Sequence, residues 1–230
     1  MTRINVLDKG YVRLVDHMGT DLSIVNAARV SYAKESAEFG DRDERLINFL
    51  VRNKEYSPFR HVALTFEVYA PLFVARQWWK YTVASSHIDD QIGWNESSRR
   101  YVTEQPEFHL PYDEEWRTAP ENKKQGSGDC VNASVGMWLT SDLANYIAKG
   151  VELYEKALED GIAPEQARLF LPAYGMYVRW RWTTSLAAVL HFLNERLEHN
   201  AQVEIQNYAK AVRDLTVPLF PKGAEPYASK

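Results

Sequence analysis

The first half of the chain contains a segment, residues 71–101, whose polar side chains are spaced for ligand binding. It opens as a helix in which Pro71 suits the first turn and the following apolar residues begin a buried face. At helical spacing Gln77, Lys80, Tyr81 and Ala84 fall on one stripe. An amide, an ammonium and a phenol therefore face the same way.

The far end of this segment, residues 95–101, has no apolar residue until its final tyrosine. If the run is extended, alternation points Glu96, Ser98 and Arg100 to one side. An acceptor, a hydroxyl and a guanidinium in a row suit a phosphorylated polar ligand. The residues alone leave open a solvated loop as the alternative.

The same segment resembles the signature of the flavin-dependent thymidylate synthases, which methylate dUMP using FAD, NAD(P)H and methylenetetrahydrofolate. The matching positions are Gln77-Trp78, Asn95-Glu96, Ser98 and Arg100-Tyr101. The chain departs from the family at the Arg-His-Arg triplet, which reads Lys80-Tyr81-Thr82 here. An insert of roughly eight residues, about Ser86 to Gly93, also separates the two halves of the signature.

The resemblance implies a dUMP site made of arginines and polar side chains. Arg168 matches the family's substrate arginine before a Leu-Pro pair, and Arg196 matches the arginine that contacts the pyrimidine. Arg196 is the predicted catalytic residue, because negative charge develops on the uracil ring when C5 becomes nucleophilic. The predicted substrate-binding residues are Gln77, Lys80, Ser98, Arg100, Arg168 and Arg196.

The resemblance also implies a flavin site and a shared assembly. Ser57 lies in a Ser-Pro-Phe-x-His turn whose first position contacts flavin in the family, and His191 occupies a position where the family often has asparagine. The predicted flavin-binding residues are Ser57, Lys80, Tyr81, Thr82, Glu96 and His191. The implied cofactors are FAD, NADPH and methylenetetrahydrofolate, in a homotetramer whose active sites are shared between subunits. The insert, through His87 or Gln91, is hypothesised to replace contacts that the altered triplet no longer makes.

Two other classes of function stay open. The altered triplet and the insert favour a related flavoenzyme that modifies a pyrimidine nucleotide differently, for example by hydroxymethylation of dUMP. The second class is a non-redox protein, either a metal hydrolase, for which His191, Glu195 and His199 are spaced along one helix face, or a degenerate nucleotide-binding module. This spacing is not the HExxH zinc pattern, so no metal site is predicted.

Cys130 is the only cysteine, and the unrelated class of thymidylate synthases uses a cysteine nucleophile. A useful thiol needs a base, a cation or a helix N-terminus to lower its pKa. Cys130 follows Asp129 and has no histidine nearby in the sequence. We expect it to be a bystander.

Length and composition predict one globular domain over residues 1–230, and the resemblance implies that it is catalytic. The chain is 45% hydrophobic and 25% charged, with a net charge of −4. A sequence pI near 5.9 argues against general nucleic-acid binding and against binding to anionic membranes. The sequence contains no apolar signal region, no membrane-spanning run and no pair of cysteines, so a cytoplasmic location is expected.

Hydrophobic periodicity predicts an α+β fold, a mostly antiparallel sheet packed by helices. The predicted strands are two within residues 3–17 around the turn Asp8-Lys9-Gly10, one over 62–70 and one over 174–183. The predicted helices begin with one capped by Asp21 that ends near Tyr32, one with a capping box of Asp41 and Glu44, and the helix from Pro71. Four more are predicted from the late 130s to Leu158, from Ala163 to Leu171, through 186–197 and from Ala201 to Leu215. A flexible loop is expected at about 112–132.

Overall fold

The computed structural model describes residues 2–83, 93–97, 105–120 and 126–229, apart from the side chains of residues 80–83 and 93–94. Its centre is a five-stranded, fully antiparallel sheet in the order β1-β2-β3-β5-β4. The strands are β1 (Arg3–Val6), β2 (Gly10–Met18), β3 (Ala63–Pro71), β4 (Gly93–Glu96) and β5 (Tyr177–Ser185). The predicted α+β class with an antiparallel sheet is confirmed.

Seven α-helices surround this sheet in the described residues. They are α1 (Asp21–Arg29), α2 (Asp41–Arg52), α3 (Leu72–Val83), α4 (Ala133–Glu159), α5 (Pro164–Ala167), α6 (Leu186–Arg196) and α7 (Val203–Thr216). Short 3-10 turns occupy 30–32, 57–61, 113–115, 168–170, 173–175 and 225–227. Among the helices described, none combines the length and the apolar character that crossing a membrane requires.

The central strands place aromatic side chains on both faces of the sheet. β3 pairs with β5 over its whole length, from Ala63 opposite Ser185 to Pro71 opposite Tyr177. Trp180 and Trp182 are buried on one face, as alternation along β5 predicts. Tyr177, which points to the other face, is also buried and packs against Tyr69 with ring centroids 4.8 Å apart.

A cluster of four aromatic residues joins α3, β5 and α6. Trp78 stacks on Phe192 with centroids 4.4 Å apart and meets Trp180 and Trp182 edge-on at 5.6 and 5.4 Å. All four side chains are almost completely buried. Aromatic pairs in such geometries add about 0.5–1.5 kcal/mol each beyond the burial of apolar surface. This aromatic cluster therefore fixes the three elements against one another.

Several predicted helix starts were wrong by a few residues. The N-cap of α1 is Thr20, and the Asp21 carboxylate instead accepts the backbone N–H groups of Lys222 and Gly223 at 2.8 and 3.0 Å. Asp21 therefore secures the C-terminal segment, because its carboxylate accepts two charge-assisted hydrogen bonds from the backbone of that segment.

The other corrected boundaries have similar local causes. The N-cap of α2 is Gly40, and its backbone N–H donates to the Asp43 carboxylate at 2.8 Å. Asp41 is therefore not the cap. Pro71 ends β3 rather than starting α3. The helix α4 begins at Ala133, earlier than expected, because the Asn132 side chain accepts the N–H of Ser134 and caps it there.

The loop expected at 112–132 contains ordered contacts in its described parts. A 3-10 turn covers Asp113–Glu115, and Arg117 pairs with Cys130 in an isolated antiparallel bridge. Residues 121–125 lie outside the described residues. The flexibility of this loop stays a prediction.

The turn between β1 and β2 is tied to the rest of the fold by Asp8. One carboxylate oxygen accepts His109 Nδ1–H at 2.7 Å and the Tyr177 hydroxyl at 2.6 Å. Burial alone would raise the pKa of Asp8, but these hydrogen bonds and the attraction of His109 outweigh it and lower the pKa from 3.8 to about 2. Asp8 therefore stabilises the fold as an anion.

We expect Asp8→Asn to remove an acid-dependent part of the stability. Because the folded pKa is the lower one, the contribution of Asp8 is complete above pH 4 and is lost as the pH falls towards 2. The shift corresponds to roughly 2 kcal/mol. Urea unfolding between pH 5 and 2 should show a steeper loss for the parental protein than for Asp8→Asn. The exposed Asp142→Asn on α4 is the matched control, and equal slopes for Asp8→Asn and the parent would contradict this role.

Candidate functional site

The predicted residue Gln77 is positioned by its neighbour in the aromatic cluster. Trp78 is fully buried, which sets the rotation of α3 and leaves Gln77 at the edge of the core, partly exposed. The Gln77 amide nitrogen donates to the side-chain oxygen of Gln202, the N-cap residue of α7. This hydrogen bond therefore ties the Gln77 side chain to the start of α7.

Glu96 lies on β4 and Arg168 on the turn at 168–170, and the charge of Arg168 acts on the Glu96 carboxyl. β4 pairs with β5 so that Glu96 lies opposite Trp180, and the backbone is extended up to Glu96, which is the condition set for this end of the segment. Although Glu96 keeps contact with solvent, partial desolvation raises the pKa of its carboxyl, and the positive charge of Arg168 opposes that rise. The pair combines a carboxylate that holds its proton more readily with an available guanidinium.

Arg168 is exposed and lies on a turn that packs closely against α4. Its Nε donates to the carbonyl oxygen of Glu165 at 3.2 Å, which leaves most of the guanidinium directed away from its own turn. The turn packs against α4 at Gly150, where an added Cβ would lie 2.8 Å from the carbonyl oxygen of Phe170. Glycine is therefore required for this close approach, and the support beneath Arg168 is backbone on backbone.

Arg196 and His191 lie on α6, and Ser57 lies on the turn that packs beside it. Arg196 is the last residue of α6 and is partly buried, and His191 is partly buried five residues earlier. α6 begins where the Leu186 N–H donates to the carbonyl oxygen of Val62 at 3.0 Å, directly after the turn Ser57–His61. Ser57 opens that turn with an exposed side chain. A hydroxyl, an imidazole and a guanidinium thus occur on two adjoining elements.

Several predicted residues cannot be placed. Ser98 and Arg100 lie outside the described residues, as do residues 86–92 of the insert with His87 and Gln91. Lys80, Tyr81 and Thr82 lie on α3, but their side chains are also outside the description. The roles predicted for all of them stay predictions.

The three residues whose spacing suggested a metal site do not lie on one helix in the structure. α6 ends at Arg196, so His199 is not on the same helix as His191 and Glu195. Within the described ranges, no group of three histidine, cysteine, aspartate or glutamate side chains is arranged to hold a metal ion. The hypothesis of a helix-borne metal site was therefore wrong in its geometry.

Sequence reasoning missed the polar residues behind Gln77. Arg117 donates to Ser127 Oγ at 2.9 Å and forms an ion pair with Glu204, two residues after Gln202. Burial would raise the pKa of Glu204, but the Arg117 hydrogen bond, with smaller help from backbone and from the Gln202 side chain, lowers it. No local pattern marks Gln202 and Glu204, because their partners Gln77 and Arg117 are more than 80 positions away in sequence.

Glu204 also borders a cavity of about 250 Å³ between the start of α3 and the middle of α4. Its walls are mostly apolar and include Phe73, Trp116 and Leu143. None of the predicted substrate or flavin residues whose side chains the structure describes lines this cavity. These residues lie instead on α3, β4, α6 and the turns at 57–61 and 168–170.

Removing the Arg168 charge should change the titration of Glu96. Arg168 lowers the pKa of Glu96, so Arg168→Gln is expected to raise it further. Carbon NMR of the Glu96 carboxyl across a pH titration measures this shift, with Lys149→Gln on the exposed face of α4 as the control. If the titration of Glu96 is the same in Arg168→Gln and in the parental protein, the two groups do not interact.

Comparison with known proteins gives consistent results. Residues 13–222 match the family model described as thymidylate synthase complementing protein. A flavin-dependent thymidylate synthase of Thermotoga neapolitana is 39% identical over 213 residues, covering 91% of this chain and 87% of that protein. A second, from Treponema denticola, is 38% identical over 220 residues, covering 94% and 78% respectively.

A solved structure extends the similarity to three dimensions. The UMP/dUMP methylase PolB of Streptomyces cacaoi, bound to 5-Br dUMP, matches with a TM-score of 0.83 and 28% identity. The match covers 98% of this chain and 97% of that one. The signature in residues 71–101, the sheet and the comparisons therefore agree, and the chain belongs to the flavin-dependent thymidylate synthase family.

Proposed function

We propose that this protein is a flavin-dependent thymidylate synthase that converts dUMP to dTMP by reductive methylation. The observation that carries the proposal is the pairing of Glu96, from the signature segment, with the charge of Arg168, from a turn 72 positions later. Two residues predicted for one site from separate motifs are close enough for the charge of Arg168 to lower the pKa of Glu96. The similarity to flavin-dependent thymidylate synthases and to a UMP/dUMP methylase supports the same function.

The proposed substrate site contains positively charged side chains that lie on rigid elements of the fold. Arg168 is exposed on its backed turn and suits the phosphate or sugar of dUMP, because a guanidinium binds oxyanions through paired hydrogen bonds. Arg196, partly buried at the end of α6, is the residue we assign to the pyrimidine. Gln77, Lys80, Ser98 and Arg100 complete the predicted substrate set.

The residues around α6 have the chemistry that a flavin requires. A flavin ring presents acceptor and donor atoms at its edge, which suit the Ser57 hydroxyl and the His191 imidazole on their adjoining elements. Glu96, with its raised pKa, adds a group able to donate as an acid or accept as a carboxylate. The cofactor we propose is FAD, with NADPH as the source of hydride and methylenetetrahydrofolate as the source of carbon. When bound, the flavin supplies the electrons that bring the transferred carbon to the level of a methyl group.

Arg196 performs the central electrostatic task in this proposal. Carbon–carbon bond formation at uracil C5 requires negative charge to be stabilised on the ring, and a fixed guanidinium does this without reorganising solvent. Its helix is buried along most of its length, so the position of Arg196 is set by the core. α6 therefore fixes the position of the positive charge of Arg196.

An exposed apolar surface supports the proposed homotetramer with shared sites. The exposed large side chains on α4 and on the turns at 168–170 and 173–175 include Met137, Trp138, Tyr146, Leu169, Phe170 and Tyr174. Apolar surface of this kind commonly marks a protein–protein interface. Because the set adjoins Arg168, a second copy packed there would lie beside the substrate arginine.

We expect the purified protein to bind FAD and to form dTMP from dUMP with methylenetetrahydrofolate and NADPH. The mass of the nucleotide product distinguishes methylation from hydroxymethylation. Hydroxymethylation is the second candidate because the triplet at residues 80–82 is changed. The control is Arg196→Leu, which should bind FAD but lose turnover by at least about a hundredfold, since removing one preorganised charge-stabilising donor costs about 10²–10³ in rate. A colourless protein with no affinity for FAD, or a product unchanged from dUMP, would overturn the proposal.

Cys130→Ala should retain most of the turnover, because carbon delivery through a flavin needs no protein thiol. Cys130 is exposed and bridged by its backbone to Arg117 rather than placed beside a base. An exposed free thiol is also typical of a reducing compartment, which supports a cytoplasmic location. The initial rate of dTMP formation is the measurement, and complete inactivity of a folded, flavin-bound variant would indicate a cysteine nucleophile instead.

A further inference from the structure

Three tyrosines, Tyr11, Tyr69 and Tyr177, form a tyrosine cluster on the face of the sheet opposite the aromatic cluster. The Tyr69 ring centroid lies 5.7 Å from that of Tyr11 and 4.8 Å from that of Tyr177, and all three side chains are buried. Each hydroxyl donates to a different carboxylate: Tyr11 to Glu67 at 2.8 Å, Tyr69 to Glu107 at 2.6 Å and Tyr177 to Asp8 at 2.6 Å. Every phenol of the cluster therefore has a proton acceptor already in contact.

These hydrogen bonds make the phenols easier to oxidise. A phenol that loses an electron becomes a strong acid, and a carboxylate at hydrogen-bond distance can take its proton in the same event. Burial and the hydrogen bond to Asp8 raise the pKa of Tyr177, so this phenol keeps its proton until it is oxidised. The tyrosine cluster is therefore arranged to form neutral tyrosyl radicals.

Two tryptophans of the aromatic cluster have the opposite property. The indole N–H groups of Trp78 and Trp182 are buried and have no hydrogen-bond partner among the described residues. An indole that loses an electron there keeps its proton and remains a strongly oxidising radical cation. Tyr208 contacts both clusters, because its ring centroid lies 6.3 Å from that of Trp78 and its hydroxyl donates to the Tyr69 backbone carbonyl at 2.8 Å. An electron can therefore reach Trp78 from the tyrosine cluster over short distances.

We propose that the tyrosine cluster is a radical sink, which returns electrons to the tryptophans packed beside Gln77. In the proposed step, the Trp78 radical cation takes one electron from a cluster tyrosine, and the phenolic proton passes to the carboxylate partner of that tyrosine. The products are the intact indole, a neutral tyrosyl radical and a carboxylic acid, so atoms, electrons and charge balance.

The oxidant that starts this sequence is an oxygen-centred radical. A hydroxyl radical, for example, removes one electron from an indole and becomes hydroxide. The inference rests on the proposed function only for the source of this oxidant, because flavin chemistry in air releases reduced oxygen species. The sink thus protects the core that holds the site.

Pulse radiolysis of the purified protein tests the electron transfer itself. Azide radicals oxidise indoles in preference to phenols, and transient absorption then follows the decay of indole radicals and the growth of tyrosyl radicals. We expect this transfer to be lost when all three cluster tyrosines are changed to phenylalanine. The matched control changes three exposed tyrosines instead, Tyr32, Tyr112 and Tyr146. Equal transfer in the two triple variants would overturn the proposal.

The role of the carboxylates is tested by replacing them with amides. An amide oxygen still accepts the phenolic hydrogen bond but takes up no proton at neutral pH. The double variant Glu67→Gln/Glu107→Gln should therefore form tyrosyl radicals more slowly than the parental protein. Glu152→Gln/Glu155→Gln on the exposed face of α4 is the control, and the thermal midpoint shows that each variant is folded. An unchanged rate in the folded Glu67→Gln/Glu107→Gln variant contradicts the proposed proton transfer.

Peptide mapping separates this inference from the function on which it rests. After incubation of the FAD-loaded protein with NADPH in air, we expect oxidation products at the tyrosine cluster in the parental protein and at Trp78 and Trp182 in its triple phenylalanine variant. Equal oxidation of these tryptophans in both proteins overturns the sink, even if dTMP is formed. A protein that binds no FAD overturns the proposed function, whereas the pulse-radiolysis result still decides whether the tyrosine cluster accepts radicals.

Discussion

The structure depends on the packing of Trp78 against Trp180, Trp182 and Phe192. Two of the elements in this aromatic cluster, α3 and α6, carry a predicted site residue close to their contact, and β4, which pairs with the third, carries another. Gln77 adjoins Trp78, Glu96 lies opposite Trp180 in the sheet, and Arg196 follows Phe192 by one helical turn. Because protein cores tolerate little change of volume, the packing of this cluster fixes the positions of the Gln77 amide, the Glu96 carboxyl and the Arg196 guanidinium.

A second layer of polar contacts supports this arrangement from outside the core. Asp8 ties the first hairpin to His109 and Tyr177, and the Arg117–Glu204 ion pair ties the long loop to α7. Gly150 lets the turn bearing Arg168 sit directly on α4. Residues of this layer act through the placement of others, so their loss is expected to weaken binding without changing the chemistry.

The sequence predicts well wherever a periodic apolar pattern decides the structure. Alternation along β5 and the helical stripe of α6 are both strong signals, and both elements form close to where they were predicted. The errors arise where one side chain competes for a backbone group. Asp21 bonds the distant amides of Lys222 and Gly223, and the end of α6 at Arg196 removes His199 from the predicted helix face. The contact between Gln202 and Gln77 could not be predicted, because the two residues lie 125 positions apart in sequence.

The central claim is that the packed core presents Arg168, Arg196 and Gln77 to one nucleotide. A crystal structure of the protein with FAD and dUMP tests it most directly. The account predicts the Arg196 guanidinium at the pyrimidine ring, Arg168 at the sugar or phosphate, and the Gln77 amide in contact with the nucleotide. A nucleotide bound elsewhere, with Arg168 and Arg196 both facing solvent, would contradict it.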